Sequence, residues 1–195
     1  MTGRRIKSIL IVVTLAVSGC ALLTWTQPWF SLVLTQGTHA GTDVDVPGEA
    51  AGPAVAALGL AGLALGGALA IAGRVLRVVF GVLEVLIGGS LIASAIVAVS
   101  DPAAASSKTI TEFTGVAGDS AAHDLVAQSF ATAWPYVALA AGIILAVLGI
   151  AVIVTSRRWP ASGRKFDAPA AEPSGTTHDA VDSWDELSRG EDPTR

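Results

Sequence analysis

The chain has 195 residues, of which 52% are hydrophobic and 14% charged, with a mean hydropathy of +0.62 and a net charge of −4. That balance excludes an ordinary soluble domain, in which about a quarter of the residues are charged. A single cysteine, Cys20, excludes an intramolecular disulfide and any multi-cysteine metal site.

Crossing about 30 Å of hydrocarbon takes roughly 20 apolar residues in a helix. Four stretches meet that requirement, at about 6–24, 53–73, 78–99 and 134–155. The first follows RRIK and carries VSGC near its end, so it also fits a bacterial lipoprotein signal with Cys20 as the lipidated residue. The apolar run nevertheless continues past Cys20 as ALLTW, long enough for a retained span. The loop at 25–52 alternates polar and β-branched residues weakly and predicts a short hairpin outside the membrane. Trp25 and Trp29 open it, at the level where aromatic rings anchor at the interface.

In the second span Gly62, Gly66 and Ala70 stand four apart, a small-residue face that lets another backbone approach closely. A tight turn carrying Arg74 and Arg77 leads to the third span. On helical spacing Arg77, Gly81, Glu84, Gly88 and Ala95 of this segment share one stripe, which directs Glu84 toward the bundle and away from lipid. An ionisable group at that depth costs a few kcal/mol unless paired, hydrated or protonated, and intramembrane carboxylates are candidates for function. Arg77, two turns back, is a possible partner; a packing role and a proton- or substrate-handling role both remain open for Glu84.

The second outer loop, 100–133, contains DSAAHDLVAQSFATAW. Leu125, Val126, Ser129 and Phe130 predict one side of a short helix lying against the membrane. His123 and Asp124 are adjacent and so do not share a helical face, which makes His123 a surface residue. The fourth span repeats the small-residue spacing at Ala138, Gly142 and Ala146, with Trp134 and Tyr136 as anchors at its start and Trp159 just past its end.

Basic residues set the orientation. Arg4, Arg5 and Lys7 stand at the start of the first span, Arg74 and Arg77 join the second and third, and Arg157, Arg158, Arg164 and Lys165 follow the fourth. The two long loops carry Lys108 as their basic residue, against Asp43, Asp45, Glu49, Asp101, Glu112, Asp119 and Asp124. The positive-inside rule then places both termini in the cytoplasm.

No GxxxxGK[ST], HExxH, CxxC or GxSxG motif occurs, so neither catalysis, a metal nor a cofactor is expected. The basic residues form a cytoplasmic collar, not a nucleic-acid footprint. In the tail, 156–167 is a juxtamembrane basic and aromatic stretch suited to an anionic leaflet. Residues 168–180 read as a flexible linker. In 181–194, Ser183 and Glu186 have capping-box spacing, Trp184 and Leu187 are an i,i+3 pair, and Gly190 is a helix stop. Two helical turns do not hold alone in water, so such a segment orders on a partner.

The stretches TQPWF (26–30), AWPYVAL (133–139), RRWPASGRKFD (157–167) and WDELSRGEDPT (184–194) together resemble the actinobacterial tryptophan biosynthesis-associated transmembrane protein family. VSGC in the first span and a longer second outer loop depart from the family pattern. The resemblance implies a plasma-membrane protein tied to tryptophan biosynthesis and brings no catalytic residues.

The resulting expectation is an all-α membrane protein, a four-transmembrane-helix bundle over residues 1–155 with a mostly disordered cytoplasmic tail, 156–195. Its partners are the lipid bilayer and a cytosolic protein, such as a tryptophan-pathway enzyme, docked by Trp184, Asp185, Leu187, Arg189, Glu191 and Asp192. A small transporter for tryptophan, indole or a precursor, with Glu84 and Arg77 as its polar point, is the alternative. An envelope lipoprotein modified at Cys20 is the third.

Overall fold

A computed structural model describes residues 3–34, 43–116 and 118–159. The tail from 160 onward, with Trp184 and the other expected docking residues, lies outside the described residues. So does the linker expected at 168–180.

In chain order the elements are α1 (Gly3–Trp25), β1 (Pro28–Leu34), β2 (Asp43–Pro47), α2 (Gly48–Ala51), α3 (Ala54–Ile71) and α4 (Arg74–Ser100). They continue with α5 (Pro102–Ala105), α6 (Ser107–Thr114), α7 (Asp119–Leu125), β3 (Val126–Ala131) and α8 (Trp134–Thr155), which runs into a 3-10 turn, Ser156–Arg158. Four of the helices, α1, α3, α4 and α8, are long and apolar enough to cross a membrane. Apolar side chains such as Val12, Leu60, Leu86, Val97, Val147 and Val154 point outward from all four. That arrangement suits hydrocarbon as the surrounding solvent.

Each long helix packs against two others, α1 on α3 and α8, and α4 on α8 and α3. Small residues set the two closest pairs. Along α3, Gly59, Gly62 and Gly66 lie against Leu22, Ser18 and Leu15 of α1, so the two helices run antiparallel in close contact. Between α4 and α8 the contact is backbone on backbone. A Cβ built at Gly88 would lie 2.6 Å from both the Ala146 nitrogen and the Gly142 oxygen, and one at Gly149 would lie 2.6 Å from the Gly81 oxygen. The working period here is therefore seven residues on each helix, Gly81 and Gly88 facing Gly149 and Gly142. The four-residue spacing seen in the sequence captured only Gly142 of this set.

The stripe on α4 is as the spacing predicts: Arg77, Gly81, Glu84, Gly88 and Ala95 are all buried, joined by Leu91 and Ala98. The turn before it is shorter than expected. Arg74 and Arg77 belong to the opening turns of α4, with Gly73 as N-cap in extended conformation. The helix thus has 27 residues, about 40 Å at 1.5 Å per residue.

A three-stranded antiparallel sheet, ordered β2-β1-β3, sits at the end of the bundle where α1 ends and α8 begins. The predicted hairpin forms, with Phe30 opposite Val46 and Leu32 opposite Val44. Alternation buries Phe30, Leu32 and Leu34 on β1 and Val44 and Val46 on β2. The expected helix through Leu125–Phe130 is corrected: α7 stops at Leu125, and Val126–Ala131 is a strand paired to the free edge of β1, with Ser31 opposite Phe130. Long-range pairing wins because β1 offers an unpaired row of backbone groups that water-exposed helix formation would leave unsatisfied.

Short helices complete this end. Asp101 caps α5, its carboxylate accepting from the Ala104 N–H at 3.0 Å, with Pro102 in the first turn. Gly115, at φ 74°, ends α6 in the left-handed conformation that favours glycine. The core runs without a break from sheet to bundle: Trp29, Phe30, Leu32 and Val46 pack in one cluster with Val55, Leu91 and Leu145.

Candidate functional site

Midway along the bundle, three polar side chains are buried among apolar ones. Thr14 and Ser18 stand four residues apart on α1 and are both fully buried. Opposite them α3 presents Gly66 and Gly62, whose missing side chains leave room for Thr14 and Ser18. From α4, Glu84 enters the same region, fully buried, and its Oε1 accepts a hydrogen bond from Thr14 Oγ1 at 2.6 Å. Glu84 Oε2 and Ser18 Oγ, equally buried, meet no hydrogen-bond partner among the described residues. Two such atoms cost about 1–3 kcal/mol each, so the bundle tolerates a marked local penalty here.

Arg77 lies two turns toward the basic end of α4 and is 1% exposed. Its Nε donates to the Ala72 carbonyl at 3.0 Å, and its guanidinium lies over the Trp159 ring, 5.2 Å from the centroid. Lys7 Nζ donates to the Ala70 carbonyl at 2.7 Å. Two cations thus meet carbonyls at the C-terminal end of α3, where the helix dipole favours positive charge. The expected site residues Glu84 and Arg77 share one face, but the hydroxyl that donates to Glu84 comes from α1, which spacing within one helix could not reveal.

Two tryptophans read as interface anchors are corrected to buried residues. Trp29 has no exposure, because the β-bulge between Pro28 and Phe30 adds it to the buried side of β1; its Nε1 donates to the Thr24 carbonyl at 2.7 Å. Trp159 is 4% exposed, and its Nε1 donates to Thr155 Oγ1 at 3.1 Å. A ring that anchors at the headgroup level keeps an open face, and neither of these does. Tyr136 is half exposed at the start of α8.

Cys20 is a partly buried free thiol on α1, whose next turn packs Ala21 and Thr24 inward. His123 is surface-exposed and lies 3.4 Å from an Asp101 carboxylate oxygen. Among the described residues, no three His, Cys, Asp or Glu side chains gather as a metal site. A groove of about 370 Å³ opens between α3 and α4 at the sheet end, and one of about 210 Å³ between α4 and α8; the walls of both are formed without Glu84 or Arg77.

The family model for tryptophan-associated transmembrane proteins matches residues 11–194, from the first membrane helix through the tail. The chain belongs to this family. Four long apolar helices agree with the transmembrane character of the tryptophan-associated family and make this member a multi-pass membrane protein. No curated protein and no solved structure matches the chain.

Proposed function

We propose that this tryptophan-associated transmembrane protein is a non-enzymatic plasma-membrane tether, with both termini in the cytoplasm, whose tail docks a tryptophan-pathway enzyme. The observation that carries the reading is the extent of the family match. It does not stop with the last membrane helix but continues to residue 194, taking in WDELSRGEDPT. A stretch with no role in spanning the bilayer is thereby part of the family pattern. Trp184 and Leu187 are its apolar anchors, and Asp185, Arg189, Glu191 and Asp192 surround them with charge. The cytoplasmic placement rests on Lys7, Arg74, Arg77 and Arg157, which all stand at the end of the bundle opposite the sheet.

The bundle is suited to anchoring. Its α4–α8 contact is backbone on backbone, which leaves little space for a solute between those helices. A second reading, a small transporter for tryptophan, indole or a precursor, is favoured by one observation, the buried Glu84 with an unpartnered oxygen. For the lipoprotein reading, cleavage before Cys20 would remove Thr14 and Ser18 and strip α3 of much of its packing face.

Complementation separates these readings. In a strain lacking the protein and starved of tryptophan, docking predicts that deleting residues 160–195 abolishes function while Glu84→Gln retains it. Transport predicts the reverse. Cys20→Ser leaves mass and membrane retention unchanged unless the cysteine is lipidated.

A further inference from the structure

We propose that Glu84, Thr14 and Ser18 form a binding site for one monovalent cation, a proton or an alkali ion, in the core of the bundle. The two unpartnered oxygens, Glu84 Oε2 and Ser18 Oγ, come from different long helices and are both sealed from the surface. Thr14 ties the site together: it stands one turn from Ser18 and its hydroxyl already holds the other carboxylate oxygen. Hydroxyl and carboxylate oxygens are hard donors, suited to a hard cation and poor for a soft metal. The room they need is supplied by Gly62, since a Cβ there would run into Ser18 Oγ.

Charge selects the valence. Glu84 is the sole ionisable side chain in 8–24, 54–71, 78–100 and 134–155, apart from the thiol of Cys20 and the phenol of Tyr136. The nearest cations along the two helices, Arg77 seven residues before Glu84 and Lys7 seven before Thr14, donate to the carbonyls at the end of α3. One unit of positive charge neutralises the carboxylate in a medium where net charge costs several kcal/mol. A divalent ion would leave an uncompensated charge, and an anion would double the existing one. The site joins α1 to α4, so its occupancy is read as cohesion of the bundle. Tail docking neither requires nor excludes it, and the two are tested by separate readouts.

The test uses the full-length protein in detergent micelles. Thermal unfolding is followed in increasing NaCl with choline chloride holding ionic strength constant, alongside infrared difference spectra over a pH series in choline. Wild type is compared with Glu84→Gln and Ser18→Ala. A saturable rise of Tm with Na⁺ that is absent in Glu84→Gln identifies an alkali ion. Ser18→Ala then weakens the apparent affinity roughly five- to ten-fold, the share of one neutral oxygen contact. A neutral-carboxyl stretch that appears and disappears with pH, is missing in Glu84→Gln and is shifted in Ser18→Ala, without any Na⁺ effect, identifies a proton. If Glu84→Gln fails to fold, Ser18→Ala alone carries the comparison. No Na⁺ dependence and no titrating carboxyl signal in wild type would overturn the site.

Discussion

Two neighbouring glycines on α4 should respond very unequally to the same substitution. A Cβ at Gly88 would lie 2.6 Å from the Ala146 nitrogen, 2.6 Å from the Gly142 oxygen and 3.0 Å from the Ala146 Cα, all of them backbone atoms of α8. A Cβ at Gly89 would meet nothing within 4 Å. Ordinary van der Waals contact begins at about 3.4 Å, so Gly88→Ala must push α4 and α8 apart by nearly an ångström. A gap of that size forfeits a quarter to a half of each dispersion contact along the seam. The seam includes Gly81 against Gly149, so overpacking by one methyl should cost about 1–3 kcal/mol. At about 2 kcal/mol the unfolding equilibrium shifts roughly thirty-fold. Gly89→Ala should stay within about 0.5 kcal/mol of wild type, as surface substitutions do. Reversible unfolding in mixed micelles, titrated with a denaturing detergent, measures both variants. Equal effects, or a larger loss for Gly89→Ala, would refute the backbone seam between α4 and α8.

Three further outcomes are expected. Gly48→Ala should unseat Trp29, because the new Cβ would lie 2.6 Å from Trp29 Nε1 and 2.7 Å from the Thr24 carbonyl oxygen; Trp29→Phe, which loses the Nε1 hydrogen bond, should cost about 0.5–1.5 kcal/mol, and Gly48→Ala more, both by the same unfolding titration. In a Cys20→Ser background, Glu112→Cys should react with a membrane-impermeant maleimide on intact cells and Arg74→Cys only after permeabilisation; the opposite pattern reverses the orientation argued from charge. Trp159→Ala should lower stability by about 3–5 kcal/mol, the usual range for a buried tryptophan, whereas an interface anchor would lose far less.

The sequence made the bundle legible wherever hydropathy and helical period carried the information. The four spans, the inward stripe from Arg77 to Ala95 on α4 and the hairpin at 28–47 needed only local patterns. Contacts between distant segments were harder to see. Thr14 and Ser18 are small hydroxyls in an otherwise apolar helix, and their i,i+4 spacing was a signal, but Thr14 meets Glu84 across 70 residues of sequence. Val126–Ala131 carries helix-compatible apolar spacing, and only the open edge of β1 makes it a strand. Trp29 and Trp159 stand at positions where anchors are common, and burial came from a bulge in one case and from Arg77 stacking in the other. The glycine seam was visible as seven-residue spacing in both partners, yet choosing it over the four-residue repeat required knowing that α4 faces α8.

The tether itself is tested most directly by co-purification from detergent-solubilised membranes, wild type beside Trp184→Ala, with bound proteins identified by mass. A tryptophan-pathway enzyme recovered with wild type, retained with Glu84→Gln and lost with Trp184→Ala is the predicted result. The same proteins recovered from wild type and Trp184→Ala would contradict docking through the tail.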